Sequence, residues 1–270
     1  YKKNKKDLQE YIKFKLNFGE LKKLRKYAKE LKIDFGTTPF TNSQIKEAVK
    51  LKCDFIKVAS MDLNNYPFLN EISKVKENLI ISTGFSNDNE SKCNYEQNVI
   101  FLHCVGLYPP KSESYINLLN MEKIKKITGF EVGFSDHTQW LETPLAASAL
   151  GAKVIEKHFT FNKKAKGWDH SVSADFKEMK NLVISSKRAY KLSGKSERKL
   201  SKDEIEKSKV MRRSITLKND LKKNQMISLD DIDLQRPGTG ISPNYFNKII
   251  NRRIKKNLNS GEVLKWNLIK

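Results

Sequence analysis

The strongest constraint on this chain is an alternation that runs through its first two thirds, where short β-branched or apolar runs are separated by longer amphipathic stretches. Runs at 33–37, 54–59, 79–83, 99–105, 130–134 and 153–158 have the length of strands, and the segments 43–52, 115–127 and 143–150 carry helical periodicity. Strands joined through helix-length segments need crossover connections, so the pattern predicts parallel strands with helices packed outside them. Six strands fall two short of a closed (β/α)8 barrel. The expectation is an α/β fold of TIM-barrel type whose first two βα units would precede Tyr1.

The alternation ends with a long helical segment at 175–192. A charged, serine-containing stretch at 193–209 reads as a linker. From 210 to 270 the pieces are short and strand-like, broken at Asn219-Asp220, Asn224, Pro237-Gly238 and Gly240. The expected organisation is a partial barrel domain over 1–192, the linker, and a compact β-rich domain over 210–270.

Charge and cysteine usage then narrow the partners. A formal net charge of +21 invites nucleic acid or another polyanion. Only eight of the 52 basic residues are arginines, however, and the lysines are spread along the whole chain without a recognised binding motif. No nucleic-acid partner is therefore expected, while an anionic small substrate suits the field. No stretch approaches the roughly 18 to 20 apolar residues of a membrane span, so no membrane role is expected either. Cys53, Cys93 and Cys104 show neither metal nor redox spacing, which fits small buried thiols of a cytoplasmic protein.

In a barrel of this type the reacting groups sit at the C-terminal ends of the strands. Those ends carry Thr38, then Lys57 and Ser60, Ser82, Tyr108, Ser135 with His137, and His158. A single Ser or Thr in such a place more often bonds the backbone, and the case rests on their convergence at one rim. His137 follows one strand and His158 ends the next. Adjacent imidazoles suit a divalent transition metal with open positions for water and a substrate oxygen. Spacing alone favours the plainer alternative of two strand-end histidines bonded to their neighbours. Lys57 lies within the apolar run 55–59. A buried lysine needs an anion or a function, which leaves a cation for phosphate or carboxylate, a Schiff-base nucleophile, or a structural ion pair. The hydroxyls of Ser60, Ser82 and Ser135 favour the anion-binding role.

These residues fall into an ordered set of motifs. They are Thr38-Pro39-Phe40, Lys57-Val58-Ala59-Ser60 with Asn65-Tyr66-Pro67, Ile81-Ser82-Thr83-Gly84, Leu102-His103-Cys104, Tyr108-Pro109, Gly133-Phe134-Ser135-Asp136-His137-Thr138, Glu156-Lys157-His158-Phe159-Thr160 and Arg236-Pro237-Gly238-Thr239-Gly240. Taken in this order the chain resembles the sialic acid synthases, or N-acetylneuraminate synthases, over essentially its whole length. The resemblance implies a (β/α)8 barrel followed by a small antifreeze-like (SAF) domain, working as a domain-swapped homodimer. It implies that phosphoenolpyruvate is held by Thr38, Lys57, Ser60, Ser82 and Ser135. It implies a divalent metal on His137 and His158, manganese with magnesium as the alternative, and an N-acylated hexosamine bordered by Phe40, Asp62, Tyr108 and Asp169. Arg236 matches an arginine that reaches the partner's active site.

The sequence also departs from that pattern. The family's first two strands, with their Asn-His pair, catalytic glutamate and lysine-bearing strand end, have no counterpart before Tyr1, so the site is expected to be incomplete on this chain. Gly106 stands where Ser or Asn is usual, and Trp168 where Pro is usual beside the sugar-site acid. The acceptor is thereby left open among N-acetylmannosamine, a diacetamido-trideoxy sugar leading to legionaminic or pseudaminic acid, and a related hexose. Two further readings stand beside the synthase: a class I aldolase using Lys57, and a truncated homologue without catalysis.

Overall fold

The computed structural model describes residues 12–87, 95–167 and 169–270, so Cys93 and Trp168 lie outside the described residues. Two compact units divide the chain, Tyr1–Gly194 and Lys195–Lys270.

The first unit contains helix α1 (Phe18–Glu30), which the periodicity reading did not anticipate. Its start is set by a capping box in which the Asn17 side chain accepts from the Glu20 N–H and the Glu20 carboxylate accepts from the Asn17 N–H. There follow β1 (Gly36–Thr37), α2 (Asn42–Lys50), β2 (Phe55–Val58), α3 (Tyr66–Ile72), β3 (Asn78–Ser82) and β4 (Val99–Cys104). The unit continues with α4 (Asn120–Thr128), β5 (Glu131–Asp136), α5 (Glu142–Ala149), β6 (Ile155–Lys157) and α6 (Phe176–Ser193). All six strands are parallel and pair in chain order, as the six-strand run of a TIM-type α/β barrel does. The expected strands are found, with β1 reduced to two residues.

Strand alternation decides which side chains meet the helices. Ile56 and Val58, Leu79 and Ile81, Val99 and Phe101, and Val132 and Phe134 form the buried layer shared with the helices. Their neighbours Lys57, Ser82, Cys104, Ser135 and Glu156 fall on the opposite, inner face. Gly133 belongs to that face because a Cβ there would lie 2.3 Å from the Val154 carbonyl oxygen and 2.7 Å from Leu102 Cδ2. The core of fully buried side chains, among them Phe101, Phe134, Ile56 and Leu79, holds the strands in register and so fixes where their ends fall.

The second unit begins earlier than the expected domain at 210. The stretch read as a linker contains helix α7 (Lys202–Met211), started by a Ser201–Glu204 capping box. No residue of α7 is buried, which is why its composition resembles a linker's. An antiparallel pair, β7 (Ser214–Leu217) with β8 (Ile232–Gln235), follows, and α8 (Phe246–Ile249) lies beyond it. Ile215, Leu217, Leu221, Ile227, Ile241, Ile249, Ile254, Leu258, Leu264 and Ile269 make a core of its own. Among the described residues no helix is long and apolar enough to cross a membrane.

Candidate active site

The inner face and the C-terminal rim of the sheet bring most of the sequence-singled residues together. Lys57, on β2, places its Nζ 3.4 Å from Glu156 Oε1 on β6, so the sheet is curled enough for the second and sixth strands to meet across the interior. Ser82, at the end of β3, makes a long contact of 3.5 Å from its Oγ to Glu156 Oε2. A cation and a hydroxyl thus converge on one internal carboxylate. The Lys57 side chain is 17% exposed, a position where a cation without an anionic partner would be costly.

Beside this group lies a second, centred on Cys104. Burial pushes the Cys104 thiol up, against the hydrogen bonds that Ser135 and Ser60 make to its sulfur. Ser60 Oγ also accepts from the Gly84 N–H at 2.9 Å, tying the turn after β2 to the end of β3. Ser135 is buried one residue before the end of β5, and His137 follows the strand's last residue, Asp136. The three hydroxyls of Ser60, Ser82 and Ser135 therefore stand around the inner rim.

The imidazoles form the third group. His137 Nδ1–H donates to the Val105 carbonyl oxygen at 2.9 Å. Burial holds its pKa below the ordinary histidine range, which the Val105 hydrogen bond only partly offsets. A neutral ring protonated at Nδ1 leaves the Nε2 lone pair free. The His158 ring lies with its centroid 5.4 Å from that of His137. Tyr108 stacks on His137 at 3.9 Å between centroids and meets His158 edge-on at 5.5 Å. Burial, with Cys104, Asp169 and Glu156 nearby further disfavouring a phenolate charge, pushes the Tyr108 phenol up to about 12, so it remains a hydrogen-bond donor. Asp169 Oδ2 sits 4.0 Å from His158 Nδ1.

The donor chemistry fits a divalent metal. A metal-binding imidazole is neutral and donates its other N–H to a backbone carbonyl or carboxylate, as His137 does here. Among the described residues no group of three or more His, Cys, Asp or Glu side chains could hold an ion. Two imidazoles would therefore leave the remaining positions to water and substrate.

Other expected residues stand apart. Thr38 is half-buried just beyond β1, at the opposite edge of the sheet order from β6. Phe40 is half-exposed, its N–H bonded to Gln44 Oε1 at 2.8 Å. Asp62 Oδ1 accepts from Asn65 Nδ2 at 3.3 Å, while its Oδ2 is buried without a hydrogen-bond partner. Arg236 belongs to the second unit and is exposed at the end of β8. The turn behind it is pinned to β7, because Ser214 Oγ donates to the Pro237 carbonyl oxygen at 2.6 Å and accepts from the Gly240 N–H at 2.8 Å.

Glu156 and Cys104 were missed as site residues by sequence reasoning. The period-two alternation that puts Glu156 on the same face as His158 is the signal that could have found the first. His103, which shares a motif with Cys104, faces the helices instead. Its Nε2–H donates to the Ile116 carbonyl oxygen at 2.6 Å, and burial lowers its pKa. A cavity of about 340 Å³ lined by Met121, Glu131, Val132 and Lys153 opens where β5 begins, away from the histidine end of that strand.

Residues 1–198 match the NeuB family and residues 212–270 match the SAF domain. The chain is 37% identical over 254 residues to the N,N'-diacetyllegionaminic acid synthase of Legionella pneumophila, covering 90% of this chain and 71% of that one. It is 34% identical over 268 residues to the enzyme of the same name from Campylobacter jejuni, covering 96% and 80%. Among solved structures it superposes on the N-acetylneuraminic acid synthetase of Leptospira borgpetersenii with a TM-score of 0.70 at 28% identity, covering 77% of this chain and 74% of that one.

Proposed function

Because the chain belongs to the NeuB family of sialic acid synthases, with a SAF domain behind its barrel, we propose that it condenses phosphoenolpyruvate with an N-acylated hexosamine. The products are a nine-carbon 2-keto-3-deoxy acid and inorganic phosphate. The observation that carries the reading is the convergence of a cation, three hydroxyls and two neighbouring imidazoles on one rim.

The reaction asks three things of the site. Carbon 3 of phosphoenolpyruvate is a weak nucleophile, so the two substrates must be held within attack distance. Lys57 and the hydroxyls of Ser60, Ser82 and Ser135 supply charge-assisted and neutral donors to an anionic substrate, and Thr38, just beyond β1, is assigned as a further hydroxyl donor. His137 and His158 are the side chains that would hold manganese or magnesium, which when bound polarises the sugar's carbonyl oxygen as a Lewis acid. Tyr108, protonated and packed on His137, donates a hydrogen bond toward the sugar from the rim. Phe40, Asp62 and Asp169 border the acceptor. The new bond joins carbon 3 to the aldehyde carbon. Water then adds at carbon 2, and the C–O bond to phosphate breaks.

Identity to two N,N'-diacetyllegionaminic acid synthases favours a diacetamido acceptor over N-acetylmannosamine. The working form is a homodimer in which Arg236 serves the site of the partner copy. Free, buried Cys53 and Cys104 suit a reducing cytoplasm. Phosphate release from phosphoenolpyruvate, measured on the full-length protein with a panel of N-acylated hexosamines, tests reaction and acceptor together. Release that depends on a diacetamido sugar is expected, and none with any sugar would reject the reading.

A further inference from the structure

The residues directly before the two imidazoles are themselves a matched pair. Asp136 and Lys157 are direct partners in the β5–β6 ladder. Alternation turns them to the helix side, so that His137 and His158, one residue on, both turn inward. Lys157 Nζ donates to Asp136 Oδ2 at 2.8 Å, and the two side chains are 8% and 0% exposed. The same Nζ donates to the Thr138 carbonyl oxygen, while Asp136 Oδ1 accepts from the Thr138 N–H at 2.9 Å. Both backbone groups of the residue after His137 are thus gripped, one by each member of the pair. The result is a clamp: Lys157, on the strand that ends in His158, holds the turn that carries His137.

Such a pair contributes little stability for its cost. Taking two charges out of water is repaid only by good geometry, and well-packed apolar replacements often serve a fold equally well. What an apolar pair cannot do is hold Thr138 by its carbonyl oxygen and fix the turn against β6. The structure assigns to Asp136 and Lys157 the role of positioning residues that set the two imidazoles against each other, an inference that rests on reading His137 and His158 as the metal-holding pair.

The test uses the full-length protein with two variants, Lys157→Met alone and Lys157→Met combined with Asp136→Asn. The double variant removes both charges at nearly constant volume and keeps an acceptor for the Thr138 N–H, so its thermal midpoint should stay near the parent's even where the single variant unfolds. Manganese affinity, read by electron paramagnetic resonance titration, should fall about ten- to a hundredfold in the double variant, as expected when the groups orienting a metal ligand are lost. A second readout needs no metal. Nitrogen-15 spectra of the histidine rings should show one fixed Nδ1–H tautomer at His137 in the parent and a mixture in the double variant. Unchanged manganese affinity together with an unchanged ring spectrum in a folded double variant would overturn the assignment. If the parent binds no manganese but the ring spectrum changes as described, the clamp stands and the metal reading fails.

Discussion

Replacing Lys57 by Met removes the cation from the inner rim while nearly preserving the volume of its stem. In the free protein Lys57 faces Glu156 at 3.4 Å, with its side chain 17% exposed. A hydrogen bond between a charged donor and an anion contributes about 1.5–3 kcal/mol. Its loss should weaken phosphoenolpyruvate binding by roughly ten- to a hundredfold, at about 1.4 kcal/mol per factor of ten. The carboxylate of Glu156, left without its cation, faces the incoming anion and acts in the same direction. Folding should suffer less, because Glu156 is about a third exposed and its charge stays hydrated. Titration calorimetry with phosphoenolpyruvate gives the affinity, and thermal melting checks the fold. Borohydride added with substrate should leave no covalent adduct on the parent protein, since the role proposed for Lys57 is to bind charge and not to form an imine. A folded Lys57→Met variant with parental affinity would make Lys57 structural, and a reduced adduct at Lys57 would make the protein a class I aldolase.

Further outcomes are expected from the burial of the imidazoles and from the proposed homodimer. His103 and His137 are both held below the ordinary histidine value by burial. In the unfolded chain they titrate near about 6.5. Between that value and their lower folded values the unfolded state binds more protons, so the contribution is full above about pH 6.5 and is lost as pH falls below it. Urea midpoints should therefore drop from pH 7.5 to pH 5.5, and a flat profile would show both rings to be solvated. Arg236→Ala should raise the sugar's KM while leaving phosphoenolpyruvate binding and metal content unchanged. Mixing it with His137→Ala should restore part of the activity once subunit exchange is verified, because in the proposed homodimer one heterodimer site would then have both imidazoles and its arginine. Exchange without recovery would confine Arg236 to its own barrel or its own fold.

The parallel strands were legible because each is a short apolar run bounded by turn chemistry, and the rim residues because catalytic groups of such barrels follow their strands. What sequence could not supply is the curvature that brings β2 and β6 side chains together. Without it Glu156 reads as an ordinary strand-end acid, and the Lys57–Glu156 contact is invisible. Cys104 was read as a small hydrophobe, and its packing against Ser60, Ser135 and His137 depends on three separate strand ends meeting. Helix α7 was hidden for the opposite reason. It buries nothing, so only its Ser201–Glu204 capping box distinguishes it from a linker. Asp136 and Lys157 stood inside the quoted motifs, but their pairing needs the register of β5 against β6.

The central claim is carbon–carbon bond formation with loss of phosphate through C–O cleavage, and phosphoenolpyruvate labelled with oxygen-18 in its bridging position tests it most directly. Incubated with full-length protein, manganese and a diacetamido hexose, the label should appear in inorganic phosphate, in step with formation of a 2-keto-3-deoxy acid. Label retained on the carbon product, or phosphate released at the same rate without sugar, would contradict the account.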